Sequence, residues 1–334
     1  MTLPDRFPPP RALDPVAAGD APAGPGELLA RPDDASPAPA ERIPERPATP
    51  PRRRSHGLRL GNVLGEIFSR SSELFLRTPP GRLVHRRLQA AREVRTHRLD
   101  FWPAPAAAGT ATLRVAFLSD LHAGLFMTAR DLERLARRVM ELEPDLVLLG
   151  GDLVDTRLDQ VRLFEGALAL LAPPLGTFAV AGNHEYHRPE ILPYLRLFLE
   201  DRGVTLLENR GHRVEHAGRS LWLAGVDDLT EGNPDVVSAL AGRRPDEPTL
   251  LLSHHPDVFR EAAAEGVELQ LSGHTHGGQI KLFGWVPVHH TRSGWIEGFF
   301  ENGDSRLYVG SGTGLTALPI RIGTRSEISL FELG

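Results

Sequence analysis

The sequence predicts a layered α/β domain, and two observations carry that prediction. Three times in succession an apolar run gives way to a short polar cluster and then to a helical pattern, the rhythm of βαβ units in a sheet covered by helices. Each of those apolar runs also stops at an Asp, Asn or His, which a strand built only for stability rarely needs at its end. The 334 residues, 41% of them hydrophobic, suffice for one large domain or two small ones.

Positions 1–51 hold 14 of the 29 prolines and show no hydrophobic period. Such a stretch cannot bury enough apolar surface to offset its ordering entropy, so 1–56 is expected to be a disordered Pro/Ala-rich tail. It lacks the apolar core of a secretory signal, and Arg52-Arg53-Arg54 is not followed by one, which argues against twin-arginine export. From Leu60 the pattern changes: Leu60, Val63, Leu64, Ile67, Phe68, Leu74 and Phe75 recur at helical spacing among arginines, including Arg59, Arg70, Arg77 and Arg82. The region 57–95 therefore reads as basic, amphipathic and helical. Two readings stand for it, a helix packed on the domain that follows or an element lying on a membrane surface.

A compact domain is expected over 96–334, opening with an edge strand near 96–101. A buried strand over 113–119 follows, then a helix opened by a capping box of Thr128 and Asp131, with Leu132, Leu135, Ala136, Val139 and Leu142 on one face. A strand at 146–149, a helix at 158–171 and a strand at 177–180 repeat the unit. Pro189 suits the first turn of a third helix through Leu192, Leu195 and Phe198. Next, 214–224 reads as a hairpin turning at Ala217-Gly218. A strand at 249–253 and a helix at 258–264 come after it. Residues 267–272 alternate apolar and polar as a strand does, and short strands are expected at 279–282, 295–300, 307–309 and 328–331.

Composition narrows the chemistry. A net charge of -5 gives no global attraction to nucleic acid or anionic lipid, and the part over 96–334 has no basic track interleaved with aromatics, which are only 6% of the chain. No nucleic-acid partner is expected. No run of about eighteen apolar residues is present to span a bilayer. With no cysteine, disulfides, thiolate zinc sites and a cysteine nucleophile are all excluded. Any metal must be held by imidazole, carboxylate and amide oxygen, donors that suit manganese, iron, zinc or magnesium.

Two histidines two apart, His274 and His276, would point to the same side of an extended segment and could reach one metal or two neighbouring ones. Alone, such a pair is as often a chance feature of a loop. It is one of five expected strand ends that carry ligand chemistry, with Asp120/His122, Asp152, Asn183/His184 and His254. In an α/β sheet those ends converge on one edge.

The order and spelling of these blocks resemble the calcineurin-like metallophosphoesterase family. Asp120-Leu121-His122 matches its Asp-x-His, and Gly151-Asp152 and Gly182-Asn183-His184-Glu185 match its second and third blocks. His254 stands two before Pro256, and Gly273-His274-Thr275-His276 matches the last block. The resemblance covers roughly 98–334. It is closest to a bacterial branch that also has Gly151-Asp152-Leu153-Val154-Asp155, Gly277-Gly278-Gln279, and a late Gly312-Thr313-Gly314 followed by Leu318-Pro319-Ile320-Arg321. Known relatives in that branch include general phosphodiesterases and enzymes like UDP-2,3-diacylglucosamine pyrophosphatase of lipid A synthesis.

The resemblance implies a four-layer αββα sandwich of two mixed β-sheets flanked by helices, and two divalent metal ions. Asp120, His122 and His276 would hold the first, and Asn183, His254 and His274 the second. Asp152 would bridge them, since a carboxylate can join two cations and a neutral imidazole cannot. His184 is implied as the catalytic residue that stabilises charge and protonates the leaving oxygen, oriented by Glu185 or by an aspartate elsewhere. Asp155, His187, His289 and His290 are weaker candidates, better explained as caps, solvated residues or parts of substrate selection. His255 is read as structural.

The implied reaction is hydrolysis of a phosphodiester or pyrophosphate by a metal-bridged hydroxide. Two cations about 4 Å apart lower the pKa of the shared water from about 15.7 towards neutrality. A lipid-linked phosphoester would suit an enzyme held at the inner face of a membrane by 57–95. The alternatives are a cyclic-nucleotide or general phosphodiesterase, or a metal-binding scaffold without turnover.

Overall fold

Strand β2 (Leu113–Leu118) shows how the layers arise. Val115 and Phe117 join one apolar cluster with Phe178, Leu250 and Leu271, whereas Ala116 and Leu118 join another with Leu132, Leu135 and Ile191. A strand buried on both faces needs a continuous apolar run, which the sequence supplies. The computed structural model describes residues 78–81, 83, 92–103, 112–282, 285–286, 291–315 and 321–334. The proline-rich tail, the apolar spacing at 60–75 and its arginines, His289, His290 and Leu318-Pro319-Ile320 lie outside the described residues.

The first sheet has six strands in the order β1-β12-β2-β3-β4-β5. These are β1 (Glu93–Leu99), β12 (Glu327–Leu333), β2, β3 (Leu146–Gly150), β4 (Thr177–Val180) and β5 (Val204–Leu206). From β2 to β5 the pairing is parallel, β12 runs antiparallel to β2, and β1 is the edge strand, parallel to β12. The second sheet has the order β10-β11-β9-β8-β7-β6. It comprises β10 (Gly298–Asn302), β11 (Ser305–Val309), β9 (Leu269–Ser272), β8 (Thr249–Leu252), β7 (Arg219–Gly225) and β6 (Arg210–His216). Its middle is parallel and both its edge strands are antiparallel to their neighbours.

The sheets face each other across Phe117, Leu148, Phe178, Leu223, Leu250, Leu271 and Tyr308. Helices α1 (Ala129–Met140), α2 (Glu165–Leu168) and α3 (Ile191–Glu200) contribute to the cluster on the other face of the first sheet. The short helices α4 (Val236–Ala239) and α5 (Phe259–Ala264) pack with Trp222, Ala224 and Leu251 of the second. The result is the expected helix–sheet–sheet–helix sandwich. In α1 the capping box is present as expected: Thr128 accepts from the Asp131 amide, and the Asp131 carboxylate accepts from the Thr128 amide. The hairpin also turns where expected, with Ala217 and Gly218 both at positive φ (49° and 76°), as a two-residue turn between twisted strands requires.

Several expectations are corrected. The helix expected at 158–171 is a 3₁₀ segment, Leu158–Phe164, running into the single turn of α2. Pro189 precedes α3 in a turn instead of occupying its first turn. Residues 279–282 form isolated bridges, Ile280 to Ile322 and Leu282 to Trp285, and no strand. Strand β10 begins three residues later than expected at 295, and β1 three earlier than at 96. Strand β5 was not anticipated, because three residues carry no usable period.

Candidate metal centre

Backbone pairing continues past the strands and locks their carboxyl ends together. The Asp120 amide donates to Gly151 O at 3.0 Å and the His122 amide to Asp152 O at 2.9 Å, joining the ends of β2 and β3. The Gly273 amide donates to His254 O at 3.0 Å, joining β8 and β9. The His274 amide reaches across to Asp120 Oδ1 at 2.9 Å, so the two sheets meet here. Glycine is needed where the loops crowd. A Cβ on Gly182 would lie 2.3 Å from Asp152 Oδ1, and one on Gly273 would lie 2.4 Å from Asp120 Oδ2.

At these ends the chain turns through the left-handed region at Asp120 (φ 54°), His122 (44°), Asp152 (51°), His274 (72°) and His276 (52°). Each such residue costs of order 1–3 kcal/mol, and residues like these gather at functional sites. His274 and His276 thus reach one place, though not as the extended pair expected: His276 opens a 3₁₀ turn. The left-handed twist at both residues does what strand alternation was expected to do.

Seven side chains converge. His122 Nε2 faces His276 Nε2 at 3.1 Å, and Asp120 Oδ1 lies 3.5 Å from the same His276 atom. His274 Nδ1 lies 3.2 Å from His254 Nε2 and 3.0 Å from Asn183 Oδ1. Between the two groups, Asp152 Oδ2 lies 3.3 Å from His254 Nε2, 3.6 Å from His122 Nε2 and 3.9 Å from His184 Nε2. Ligand atoms of Asp120, His122 and His276 all fall within 4.8 Å of one another, as do those of Asp152, His254 and His274, and those of His122, Asp152 and His184. Imidazole nitrogens facing at 3.1–3.2 Å repel unless a proton or a cation lies between them, so the donor set fits divalent cations.

The electrostatics agree with that fit. Burial alone would raise Asp152, but the His254, His184 and His122 imidazoles overcome it and hold the carboxyl well below the usual range. Burial pushes Asp120 up to about 6, against the lowering pull of His254. Burial and then neighbouring cations hold His122 and His276 well below the ordinary value, so both keep a lone pair to offer. His254 goes the other way: burial lowers it, yet Asp152 and Asp120 raise it well above the usual value. A cation held there would take the lone pair that protonation would otherwise use.

His184 sits beside this cluster, with its ring 4.4 Å from that of His122. Glu185 does not orient it. That carboxylate is fully buried and accepts from the amides of Gly182 (2.7 Å), Asp152 (3.0 Å) and Val154 (3.1 Å), holding the loop that carries Asp152. Asp155 holds the ring instead: its carbonyl oxygen meets His184 Nδ1, and its Oδ1 lies 3.7 Å from the same atom. The His187 ring packs against that of His184 at 4.2 Å, tilted by 46°. His255 packs its ring 4.3 Å from that of His274 and accepts from the Asp257 amide through Nδ1, so it supports a neighbour.

Sequence reasoning missed a sixth strand end. After β7, Asp227 accepts from Tyr186 Oη and from the Asp228 and Asn233 amides, and Asp228 is fully buried with Oδ1 accepting from Thr230 and Glu231. The signal was available, since Val226-Asp227-Asp228 ends an apolar run just as Ser119-Asp120 does.

The sequence model for the calcineurin-like phosphoesterase family matches residues 113–278, from β2 through the turn at His276. The uncharacterized metallophosphoesterase YkuE of Bacillus subtilis (strain 168) is 32% identical over 226 residues, covering 66% of this chain and 78% of that protein. A Bos taurus protein named transmembrane protein with metallophosphoesterase domain is 33% identical over 234 residues, 65% of this chain and 52% of the relative. The chain thus spans about half the length of that relative. Among solved structures, TT1561 of Thermus thermophilus matches with a TM-score of 0.40 and 16% identity, over 60% of this chain and 90% of that one.

Proposed function

The chain belongs to the calcineurin-like phosphoesterase family, and from that premise we propose that it hydrolyses a phosphodiester or pyrophosphate bond with two divalent metal ions. The observation that carries this reading is the placement of Asp152 Oδ2 between two groups of facing ligand atoms. In our reading Asp120, His122 and His276 would hold one cation and Asn183, His254 and His274 the other, with Asp152 shared between them. When bound, the metals supply Lewis-acid charge to the phosphoryl oxygens and activate the attacking water. The protein does the rest. His184, with Nδ1 turned to Asp155 and Nε2 turned to the cluster, donates the proton that the leaving oxygen takes up.

An apolar group on the substrate is favoured by what flanks the site. Leu282 and Trp285, 43% and 64% exposed, follow the Gly278-Gln279 turn and bridge each other, and Ile322, 44% exposed, is bridged to Ile280 of the same stretch. In our reading that surface would take the acyl chains of a lipid-linked pyrophosphate, which a cyclic nucleotide lacks. With manganese, the purified protein should hydrolyse a generic aryl phosphodiester, and in a panel of lipid pyrophosphates, nucleotide diesters and cyclic nucleotides the lipid should give the highest kcat/KM. Two bound metals with no turnover of any substrate would instead favour a scaffold.

Among the described residues no helix is long and apolar enough to cross a membrane. We therefore assign any membrane contact to a peripheral, salt-sensitive association of 57–91, at the inner face of the membrane. Removal must stop short of β1, so the shortened chain begins at Arg92, whose guanidinium donates to Thr313 O. It should lose co-sedimentation with anionic vesicles and keep its melting temperature. A full chain that stays in the supernatant at low salt overturns this assignment.

A further inference from the structure

We propose that Arg321 is a positioning residue of the metal centre, setting where His276 stands relative to Asp120 and His122. The inference rests on the metal-binding reading above. Arg321 is half-buried, and among the described residues no carboxylate lies within ion-pair distance of it. Its guanidinium binds main-chain carbonyls instead. Nη1 donates to His276 O at 3.2 Å and to Ser311 O, and Nη2 donates to Gly312 O at 3.2 Å and to Gly314 O at 2.7 Å. The remaining N–H, on Nε, is inaccessible to solvent and has no hydrogen-bond partner among the described residues. A planar fork with fixed donors suits such a set of converging carbonyls, and a lysine ammonium cannot reproduce it.

The four carbonyls belong to two separate loops, and that is what gives the contact its consequence. His276 lies in the turn after β9. Ser311, Gly312 and Gly314 follow β11 and are tied to the end of β2: the Thr313 amide donates to Ser119 O at 2.9 Å and the Gly314 amide to Asp120 O at 2.8 Å. Gly312 also packs so closely that a Cβ there would lie 3.0 Å from the Asp120 Cβ. Arg321 thus joins the loop carrying His276 to the loop that buttresses Asp120. His276 is held at φ 52°, a conformation its own backbone disfavours, so an outside brace on its carbonyl matters.

The other ligands are braced differently. His254 Nδ1 faces Gly150 O at 2.8 Å, Asp152 Oδ1 accepts from the His184 amide at 2.9 Å, and Glu185 holds the Asp152 amide. None of these contacts passes through Arg321. Its loss should therefore loosen the group of Asp120, His122 and His276 and spare the group of Asn183, His254 and His274. The guanidinium also places Nη2 3.5 Å from His276 Nδ1, where metal-binding histidines usually face a carboxylate or carbonyl. The brace holds the ring by its backbone and leaves its outer nitrogen without a strong acceptor.

The test titrates the full metal-free chain with Mn²⁺, reading stoichiometry by elemental analysis and coupling between the ions by electron paramagnetic resonance. The wild type should take two coupled ions. Arg321→Lys and Arg321→Met should each keep one ion at wild-type affinity and bind the second about 10–100-fold more weakly, the usual loss when a ligand's support is removed. At limiting Mn²⁺ their spectra should be those of an isolated ion. The metal-free melting temperature should fall modestly in both variants, because four carbonyls lose their donor, so the loss confined to one ion is the readout. Two ions at wild-type affinity in both variants overturn the proposal, as do equal losses at both sites. Arg321→Lys guards against a misfolded Arg321→Met, and full recovery of the second ion by lysine would show that charge and not the brace is what counts, which also overturns it. A wild type that binds no Mn²⁺ sinks the metal-binding reading itself, on the wild-type data alone.

Discussion

Asp152→Asn is expected to lose metal and turnover together. Asp152 is 2% exposed, and its Oδ1 accepts from the His184 amide at 2.9 Å. That hydrogen bond keeps an amide oxygen on the Oδ1 side of the variant, so the new NH₂ group takes the place of Oδ2. Two N–H donors would then point at His254 Nε2 and His122 Nε2, where a shared carboxylate oxygen stood at 3.3 Å and 3.6 Å. The change removes a negative charge common to both cations and turns hydrogens toward the place they would occupy. It also removes the negative charge that raises His254. Both metals should be depleted in elemental analysis. Turnover should fall more than the about 10–100-fold typical when only a supporting partner of a ligand is lost. Two metals retained at near-normal rates would refute the bridging role.

His184→Ala should separate binding from chemistry. The hydrogen bond to Asp152 Oδ1 comes from the main-chain amide of residue 184 and survives the substitution, so both metals should remain. What disappears is the imidazole held by Asp155 through Nδ1, with Nε2 3.9 Å from Asp152 Oδ2. If that ring protonates the leaving oxygen, kcat should fall by roughly 10²–10⁴ for an alkyl ester. A nitrophenolate leaves without protonation, so its loss should be much smaller. Equal losses for nitrophenyl and alkyl leaving groups, measured at full metal occupancy, would remove His184 from the acid role.

Much of the fold was legible because local physics writes it locally. Thr128 and Asp131 cap α1 within four residues, and Ala217-Gly218 turns a hairpin within two. The continuous apolar runs of β2, β3, β4 and β8 announce strands buried on both faces. Ligand chemistry at five strand ends was visible for the same reason: a polar residue ending such a run has no packing explanation.

Other features became visible only with the fold in hand. A strand apolar on both faces does not say which neighbour it will take, and β12 slips between β1 and β2 from more than two hundred residues away. Asp155 and Glu185 look alike in sequence. Glu185 reaches three amides that β3 and β4 bring within its range, leaving Asp155 to hold His184. Arg321 showed as a basic residue in a late segment, and its brace exists only because β9, β11 and β2 end side by side. Most element types, the turn at residues 217 and 218 and the donors offered at the strand ends could be read from the sequence, since propensity, capping and period act over a few residues; the 3₁₀ segment at 158–164, the bridges at 279–282 and β5 could not. Only the tertiary structure decided the order of strands, the left-handed twist at the ligands and the partner of each buried polar group. Those depend on which distant segments exclude water from one another.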